Sequence, residues 1–407
     1  MIKKVQASEV RLGMYIHAIR GNWLEHPFWR KSFKLDQQKD LDKLVNCDLD
    51  EIWIDTSKGL DVAKAEKKPV INPVHPVENT DHENSGKPQK PIKKSIAQIP
   101  IEEELDVAKK IHKKAKETVT SMFRDVRMGK ALEIVEAESL VEEISQSIER
   151  NPNALLTLIR LKNVNEYTYM HSVAVCMLMV ALGRILDLSL EQIKQAGTAG
   201  LLHDIGKMVI PNEVLNKPGK LTDEEFVMMK SHPERGWEIL QSCYQVHESA
   251  LDVCLHHHER VDGKGYPEKL SGDALTLFAR MGAVCDVYDA ISSERCYKSA
   301  WTPAESIRRM ASWKDGHFDE TIFQAFVKTI GIYPSGTLLK LKSGRLGVVI
   351  QQSTKKLTMP IIKIFFSTRA NAHIPYEIID LSKDTDAIQS IEDPAKWGFD
   401  LNKIQGI

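Results

Sequence analysis

Histidines and aspartates recur through the middle of this 407-residue chain at positions where they could share a metal ion. Three consecutive histidines and Glu259 stand directly ahead of a glycine-rich stretch, DGKGYP. The residues with ligand chemistry are His171, His203, Asp204, His232, His256, His257, His258 and Asp286. Neutral imidazole and carboxylate together suit Fe, Mn, Ni, Co or Zn, whereas Mg and Ca prefer oxygen ligands alone. The pattern therefore predicts a transition-metal site.

Each of these residues also has a plainer interpretation. A lone histidine such as His171 is typical of a packed side chain, an HD dipeptide is common by chance, and His232 precedes a proline as at a helix end. Asp286 and Asp289 have the i, i+3 spacing of a solvated helix face. The apolar residues around these two aspartates instead indicate a buried helix, where carboxylates need a cation or hydrogen-bond donors. These residues indicate a metal site only when they are considered together.

Helices must position this set, because the pattern is helical from Ile101 to about residue 330. The first predicted helix has one apolar stripe with charged flanks. Its stripe consists of Leu105, Ala108, Ile111, Ala115, Val119 and Met122. Helix 101–130 could form a homodimer or pack on its own domain, and the pattern leaves both open.

The two ends of the chain have a different sequence pattern from the helical middle. Residues 1–60 contain alternating runs at 14–19 and 50–56, typical of strands, and a pattern at 37–45 that predicts a helix. Residues 61–100 hold six prolines and no aromatic residue, which predicts a flexible linker. Alternating runs after residue 334 predict a small β-barrel-like, β-rich appendage over 335–407.

Composition narrows the classes of function. A formal charge of −1 argues against a nucleic-acid polymer as partner. Six scattered cysteines without a C-x-x-C pair indicate reduced thiols. The first residues lack the apolar core of a signal peptide, and the longest apolar stretch, 173–186, is expected to be too short to cross a membrane. We therefore expect a cytoplasmic protein without a membrane span.

The order of these residues along the chain resembles the motif of the HD-GYP family, a branch of the HD phosphohydrolases. That order is H…HD-x-x-K…H…HHE-x-x-DGxGYP…D-x-x-DA. The similarity covers about residues 150–330 and includes an intact Gly-Tyr-Pro. The stretches LGMYI and NWLEHPF are similar to the small N-terminal domain of one HD-GYP subgroup. We predict a mainly α chain: an all-helical HD-GYP domain over 101–334, a small α+β regulatory domain over 1–60, and the β-rich appendage.

The resemblance implies hydrolysis of cyclic di-GMP, a bacterial second messenger, with two divalent transition-metal ions, Fe or Mn favoured over Ni, Co or Zn. Asp204 would bridge the two ions, and Lys207, one helical turn after His203, would steady the scissile phosphate. Arg295 and Lys298 match family phosphate-binding positions, although both are also typical of a solvated helix end. Tyr266 either contacts a guanine base or packs within the loop. The implied ligands are His171, His203, Asp204 and Asp286 for one ion and His232, His257 and His258 with Asp204 for the other. His256 lies outside the motif and is expected to be structural.

One position departs from the family pattern. Some members carry a glutamate one turn before the first histidine, which supports a third metal, but this chain has Tyr167 there and Glu166 on a different face. A two-metal site is expected, with cyclic di-GMP opened to pGpG faster than pGpG is cut to GMP. The alternatives are a hybrid cyclic GMP-AMP substrate, or a weakly catalytic receptor that signals through partner proteins. Hydrolysis of other nucleotides is disfavoured by the intact GYP loop.

Overall fold

A computed structural model shows the arrangement of the chain. It describes residues 2–6, 9–20, 32–45, 51–62, 99–159, 167–293, 300–313, 316–353 and 356–407. The chain divides into two compact units, Met1–Ala97 and Gln98–Ile407. Most of the predicted linker, residues 63–98, lies outside the described residues.

The first unit is a four-stranded antiparallel sheet with one helix. Its elements are β1 (Ile2–Val5), β2 (Tyr15–Arg20), β3 (Phe33–Lys34), α1 (Gln38–Val45) and β4 (Glu51–Asp55), in the sheet order β1-β4-β2-β3. Met14, Ile16, Leu44 and Ile54 are fully buried in its core. The predicted strands and helix of this region are confirmed, and the stretch NWLEHPF lies outside the described residues.

The second unit begins with a succession of helices. They are α2 (Ile101–Arg127), α3 (Ile134–Arg150), α4 (Pro152–Leu158), α5 (Tyr167–Ile185), α6 (Leu190–Leu202), α7 (Asn212–Leu215), α8 (Asp223–Lys230), α9 (His232–Gln241), α10 (Glu248–His256), α11 (Leu277–Ser292), α12 (Pro303–Ser312) and α13 (Glu320–Ile330). A 3-10 helix, Ile205–Val209, follows α6. The mainly α fold class is confirmed.

Helix α2 buries the apolar stripe that its sequence predicts. Five of the six stripe residues are buried, and Leu105 is half-buried. The stripe packs against α3, α4 and α5 of the same unit. Glu104 is also buried, where Arg150 donates two hydrogen bonds to its carboxylate and Ser147 donates a third. The stripe is therefore covered within the chain. It is not available as the apolar contact that was expected for a homodimer through this helix.

Helix α5 is the central helix of the second unit. Among the described residues it is the one helix long and apolar enough to cross a membrane, but 78% of its most apolar window is buried. It packs against α2, α3, α6, α11 and α13. The expectation that the apolar stretch 173–186 is too short to cross a membrane is wrong, because the helix that contains most of it starts at Tyr167 and has 19 residues. Its burial identifies it as a core helix, which also holds His171.

A five-stranded antiparallel sheet completes the second unit. Its elements are β5 (Leu338–Leu341), β6 (Arg345–Gln351), β7 (Ile361–Ser367), β8 (Ala372–Asp380) and β9 (Ile388–Glu392), followed by α14 (Pro394–Trp397) and α15 (Leu401–Gln405). The strand order is β8-β7-β6-β5-β9, so within the described residues the sheet is open rather than a closed barrel. The β-rich prediction is confirmed. The sheet contacts the helices where β6 meets α4, and the Thr157 hydroxyl of α4 lies 3.0 Å from that of Ser335, shortly before β5. The proposed domain boundaries near residues 60, 100 and 334 stay predictions.

Candidate metal centre

The seven predicted ligand residues come together from three helices and from the turns after α6 and α10. They are His171 in α5, His203 and Asp204 directly after α6, His232 as the first residue of α9, His257 and His258 directly after α10, and Asp286 in α11. All except His258 are buried, and the His258 side chain is 22% exposed. Their ligand atoms form three overlapping groups in which the atoms lie within 4.8 Å of one another. The structure thus gathers residues that are as much as 115 positions apart into one cluster.

The HD turn is built where α6 stops. A capping box between Ser189 and Gln192 starts α6, and the helix ends at Leu202. Lys207 is therefore not one α-helical turn after His203, as the spacing suggested. It lies in the following 3-10 helix, and its ammonium nitrogen reaches Asp204 Oδ2 at 2.5 Å. The Lys207 side chain still lies at the cluster, but a 3-10 helix rather than an α-helix places it there.

Gly206 allows this turn to press against α9. A Cβ atom on Gly206 would lie 2.0 Å from the carbonyl oxygen of His232 and 2.4 Å from the backbone nitrogen of Gly236. No side chain fits at such distances unless the backbone moves. This close approach holds Asp204 beside His232.

The two carboxylate oxygens of Asp204 face different histidines. Oδ2 lies 3.5 Å from His171 Nε2 and 3.4 Å from His203 Nε2. Oδ1 lies 3.3 Å from His232 Nε2 and 3.7 Å from His257 Nε2. One carboxylate thus stands between two groups of imidazole nitrogens.

The first group has two lone pairs pointed at each other. His203 Nδ1 lies 2.8 Å from the Gly200 carbonyl oxygen, and His171 Nδ1 lies 2.7 Å from Asp289 Oδ2. Both partners only accept hydrogen bonds, so each Nδ1 carries a proton, and in the neutral, metal-binding form of each ring Nε2 is a bare acceptor. The two Nε2 atoms approach to 3.3 Å. Between two neutral rings a hydrogen bond cannot explain this contact, whereas a shared cation can.

The second group repeats the arrangement. His232 Nδ1 donates to the Met229 carbonyl oxygen at 2.7 Å, and His257 Nδ1 to that of Val253 at 3.0 Å. Their bare Nε2 atoms are again 3.3 Å apart. Bonds of about 2.1 Å at angles of about 90° to 110° place two ligand nitrogens about 3.0 to 3.4 Å apart. The donor set therefore fits divalent transition metals in spacing, tautomer and chemistry.

Burial keeps most of these imidazoles neutral. It lowers the pKa of His203 and, together with the neighbouring His258, lowers that of His257 well below the usual range. Burial also lowers the pKa of His258, although Asp286 opposes this effect. A neutral imidazole is the form that binds a metal ion.

The carboxylates stay ionised for the opposite reason. Burial alone would raise the pKa of Asp204, but Lys207 and the neighbouring histidines outweigh it and hold the pKa well below the usual value. Burial likewise opposes ionisation of Asp286, and hydrogen bonding to His171 overcomes it and lowers the pKa. Burial would lower the pKa of His171, yet Asp286 and Asp289 raise it overall. The cluster thus offers anionic oxygens beside the neutral nitrogens of His203, His257 and His258.

The GYP loop packs against the two histidines that precede it. A Cβ atom on Gly265 would lie 2.4 Å from the Cα atom of Glu259, so only glycine fits there. The buried Glu259 accepts backbone hydrogen bonds from Glu268 and Lys269 at 2.7 and 2.8 Å. The Tyr266 ring stacks on His258 with centroids 4.7 Å apart. Tyr266 therefore has a packing contact at the cluster, whereas a contact with substrate stays a prediction.

Several other predicted residues lie away from the donors or outside the described part of the chain. His256 pairs instead with Asp252 at 2.8 Å and Glu268 at 3.2 Å, consistent with a structural role. Arg295, Lys298 and Glu166 lie outside the described residues.

Sequence reasoning missed the role of Asp289. Its carboxylate is fully buried and orients the His171 ring through Nδ1. The D-x-x-D spacing in α11 was a signal, but spacing alone does not tell a ligand from the acceptor behind it.

Comparisons with known proteins identify the family of this chain. The HD domain matches residues 145–322, and a domain of unknown function (DUF3391) matches residues 2–137. A cyclic di-GMP phosphodiesterase of Pseudomonas aeruginosa is 50% identical over 408 aligned positions, covering 98% of this chain and 94% of that protein. The chain belongs to the HD-GYP family.

Other members of the HD-GYP family are more distant. A 3'3'-cGAMP-specific phosphodiesterase of Vibrio cholerae is 37% identical over 32% of this chain and 25% of its own length. A solved HDGYP protein from Bdellovibrio bacteriovorus aligns with 81% of this chain and 99% of its own at 14% identity, with a TM-score of 0.46. Tyr167, one helical turn before His171, stacks on the His171 ring with ring centroids 5.4 Å apart.

Proposed function

We propose that this chain hydrolyses cyclic di-GMP to linear pGpG at the cluster around Asp204. The observation that carries the proposal is the division of the Asp204 carboxylate between two pairs of facing imidazoles. A relative named for this activity, half identical along nearly the whole chain, supports the choice of substrate. As a member of the HD family, the chain is a metal-dependent phosphohydrolase.

The donors support two divalent ions, with Fe or Mn favoured and Ni, Co or Zn also suited. His171, His203 and Asp286 would hold one ion, His232, His257 and His258 would hold the other, and Asp204 would bridge them. Two such ions lower the pKa of a shared water and neutralise phosphate oxygens.

The remaining polar residues would bind the substrate. Lys207 is 18% exposed beside Asp204, from where its ammonium can face a phosphate oxygen at the cluster. Arg295 and Lys298 are proposed to bind phosphate, because guanidinium matches the paired oxygens of a phosphate group. Tyr266 is proposed to border the base. These contacts would hold the phosphodiester in line for attack.

Tyr167 favours two ions over three and pGpG over GMP. A phenol ring stacked on His171 occupies the position where a third-metal carboxylate would be required. The opened product would then leave before a second cut.

A hybrid cyclic GMP-AMP substrate is the second candidate, favoured by the relatives in Vibrio cholerae with that specificity. The metal-binding residues would recognise the phosphodiester and not the base. Both substrates therefore fit the donor geometry. A weakly catalytic receptor is disfavoured, because all seven donor positions hold residues that can bind metal.

Regulation is proposed to come from the first unit. A small domain on a separate stretch of chain suits a sensor or a surface for signalling partners, and the protein is proposed to work in the cytoplasm. These assignments follow from the organisation of the sequence.

The test is turnover of cyclic di-GMP and cyclic GMP-AMP, with product chromatography and metal analysis of protein purified with and without air. Asp204→Asn should abolish turnover and reduce bound metal. His256→Gln is the matched control, since His256 belongs to the same run of histidines but pairs outside the cluster. Faster hydrolysis of cyclic GMP-AMP would select the second candidate. Tight binding of nucleotide without turnover in the metal-loaded wild type would select the receptor.

A further inference from the structure

Lys230, the last residue of α8, lies between two aromatic rings near the metal centre. Its ammonium nitrogen is 4.7 Å from the ring centroid of Phe226 and 5.1 Å from that of Tyr266. Phe226 precedes it by four residues and so shares its helix face. The side chain is half-buried, and the rings attract the cation without neutralising its charge.

The positive charge of Lys230 has no carboxylate partner within 4.0 Å among the residues that the structure describes. Two other half-buried lysines of the helical part of this unit do have one. Lys207 pairs with Asp204 at 2.5 Å, and Lys217 with Glu225 at 2.6 Å. A desolvated cation without a counter-ion favours an anionic ligand.

Two contacts connect Lys230 to the metal centre. The Tyr266 ring that faces its ammonium also stacks on His258. Lys230 lies two residues before His232, and the carbonyl oxygen of Met229, the residue just before Lys230, accepts the His232 Nδ1 proton. The cation is therefore held at the rim of the cluster.

We propose that Lys230 binds the second, uncut phosphodiester of the substrate, an inference that rests on the proposed function. A cyclic dinucleotide carries two phosphodiesters, each with one negative charge. The Asp204 cluster acts on one of them. The other lies at the rim of the same cluster, where its negative charge requires a cation. The ammonium is partly buried beside the two rings, which strengthens its attraction for that phosphate. Lys230 is thus a residue that selects cyclic dinucleotides over simple phosphodiesters.

The test compares two substrates. Cyclic di-GMP has an uncut phosphodiester, whereas bis(4-nitrophenyl) phosphate has only the diester that is cut. Lys230→Ala should raise KM for cyclic di-GMP by at least about 10-fold, the lower end expected for losing a hydrogen bond to a charged group. The kcat should change little, because the contact is the same in the ground state and the transition state. The kcat/KM for bis(4-nitrophenyl) phosphate should stay at the wild-type value.

Two further variants separate charge from packing. Lys230→Arg should restore most of the lost affinity, since it keeps the cation. Lys220→Ala, which removes an exposed lysine from the segment before α8, should leave both substrates unaffected. Equal KM values for cyclic di-GMP in Lys230→Ala and the wild type would overturn the proposal, as would an equal loss on both substrates. Wild-type protein that cleaves only bis(4-nitrophenyl) phosphate would instead reject cyclic di-GMP as the substrate.

Discussion

Replacing Asp289 by alanine removes the acceptor that orients a proposed metal ligand without removing any ligand. Asp289 Oδ2 lies 2.7 Å from His171 Nδ1, and both side chains are at most 1% exposed. The alanine variant leaves the imidazole N–H without this partner and free to rotate. Its Nε2 atom, which lies 2.9 Å from Asp286 Oδ1, then loses its fixed direction toward the cluster.

The expected size follows from this burial. A buried hydrogen bond to a charged group contributes about 1.5 to 3 kcal/mol. Removing the outer partner of a ligating histidine typically weakens metal binding about 10- to 100-fold. We expect Asp289→Ala to weaken metal binding in that range, and Asp289→Asn to lose less, because an amide oxygen can still accept the proton.

The assay is a metal titration of the apo-protein against a competing chelator, with kcat measured at limiting and at saturating metal. Asp289→Ala should regain most of its kcat when metal is in excess. Asp252→Ala provides the control, because Asp252 accepts a 2.8 Å hydrogen bond from His256 outside the cluster. Its metal affinity should equal that of the wild type.

One result would refute this reasoning. If folded Asp289→Ala binds metal as tightly as the wild type, the hydrogen bond does not orient His171 for a metal ion. Circular dichroism and thermal unfolding establish that the variant is folded before the affinities are compared.

Four further outcomes are expected. Lys207→Ala should lower kcat about 10²-fold or more and keep its metal, because it removes charge from the transition state; loss of metal instead would contradict this role. Gly206→Ala should destabilise the fold by about 1 to 3 kcal/mol in denaturant unfolding, because its Cβ would overlap the carbonyl of His232, and an unchanged midpoint would argue against that close contact. Tyr167→Glu should raise the bound metal above about two ions per chain and speed the cut of pGpG to GMP; three ions in the wild type, with GMP as its first main product, would reject the two-metal site. Deletion of residues 1–60 should leave a soluble, metal-loaded protein by elemental analysis, and precipitation of the truncated chain would show that this unit is needed for folding.

Much of the architecture is readable from the sequence, because it depends on local patterns. Alternating residues at 14–19 and 50–56 specify β2 and β4, and the apolar stripe from Ala108 to Met122 specifies one face of α2. The ligand types and their order along the chain indicate the family, since metal chemistry restricts which side chains can serve. These features need no knowledge of how distant segments meet.

Tertiary packing decided the rest. Spacing could not show that α6 stops at Leu202, so that Lys207 arrives through a 3-10 turn, because this break depends on the contact of Gly206 with α9. Nor could it separate Asp286, which faces the cluster, from Asp289, which supports His171 from behind, since both lie in one helix. The same limit applies to Lys230, whose place between two rings depends on the GYP loop folding back toward α8. Sequence specifies which groups are available, whereas their distances and directions arise only when separate helices pack into one core.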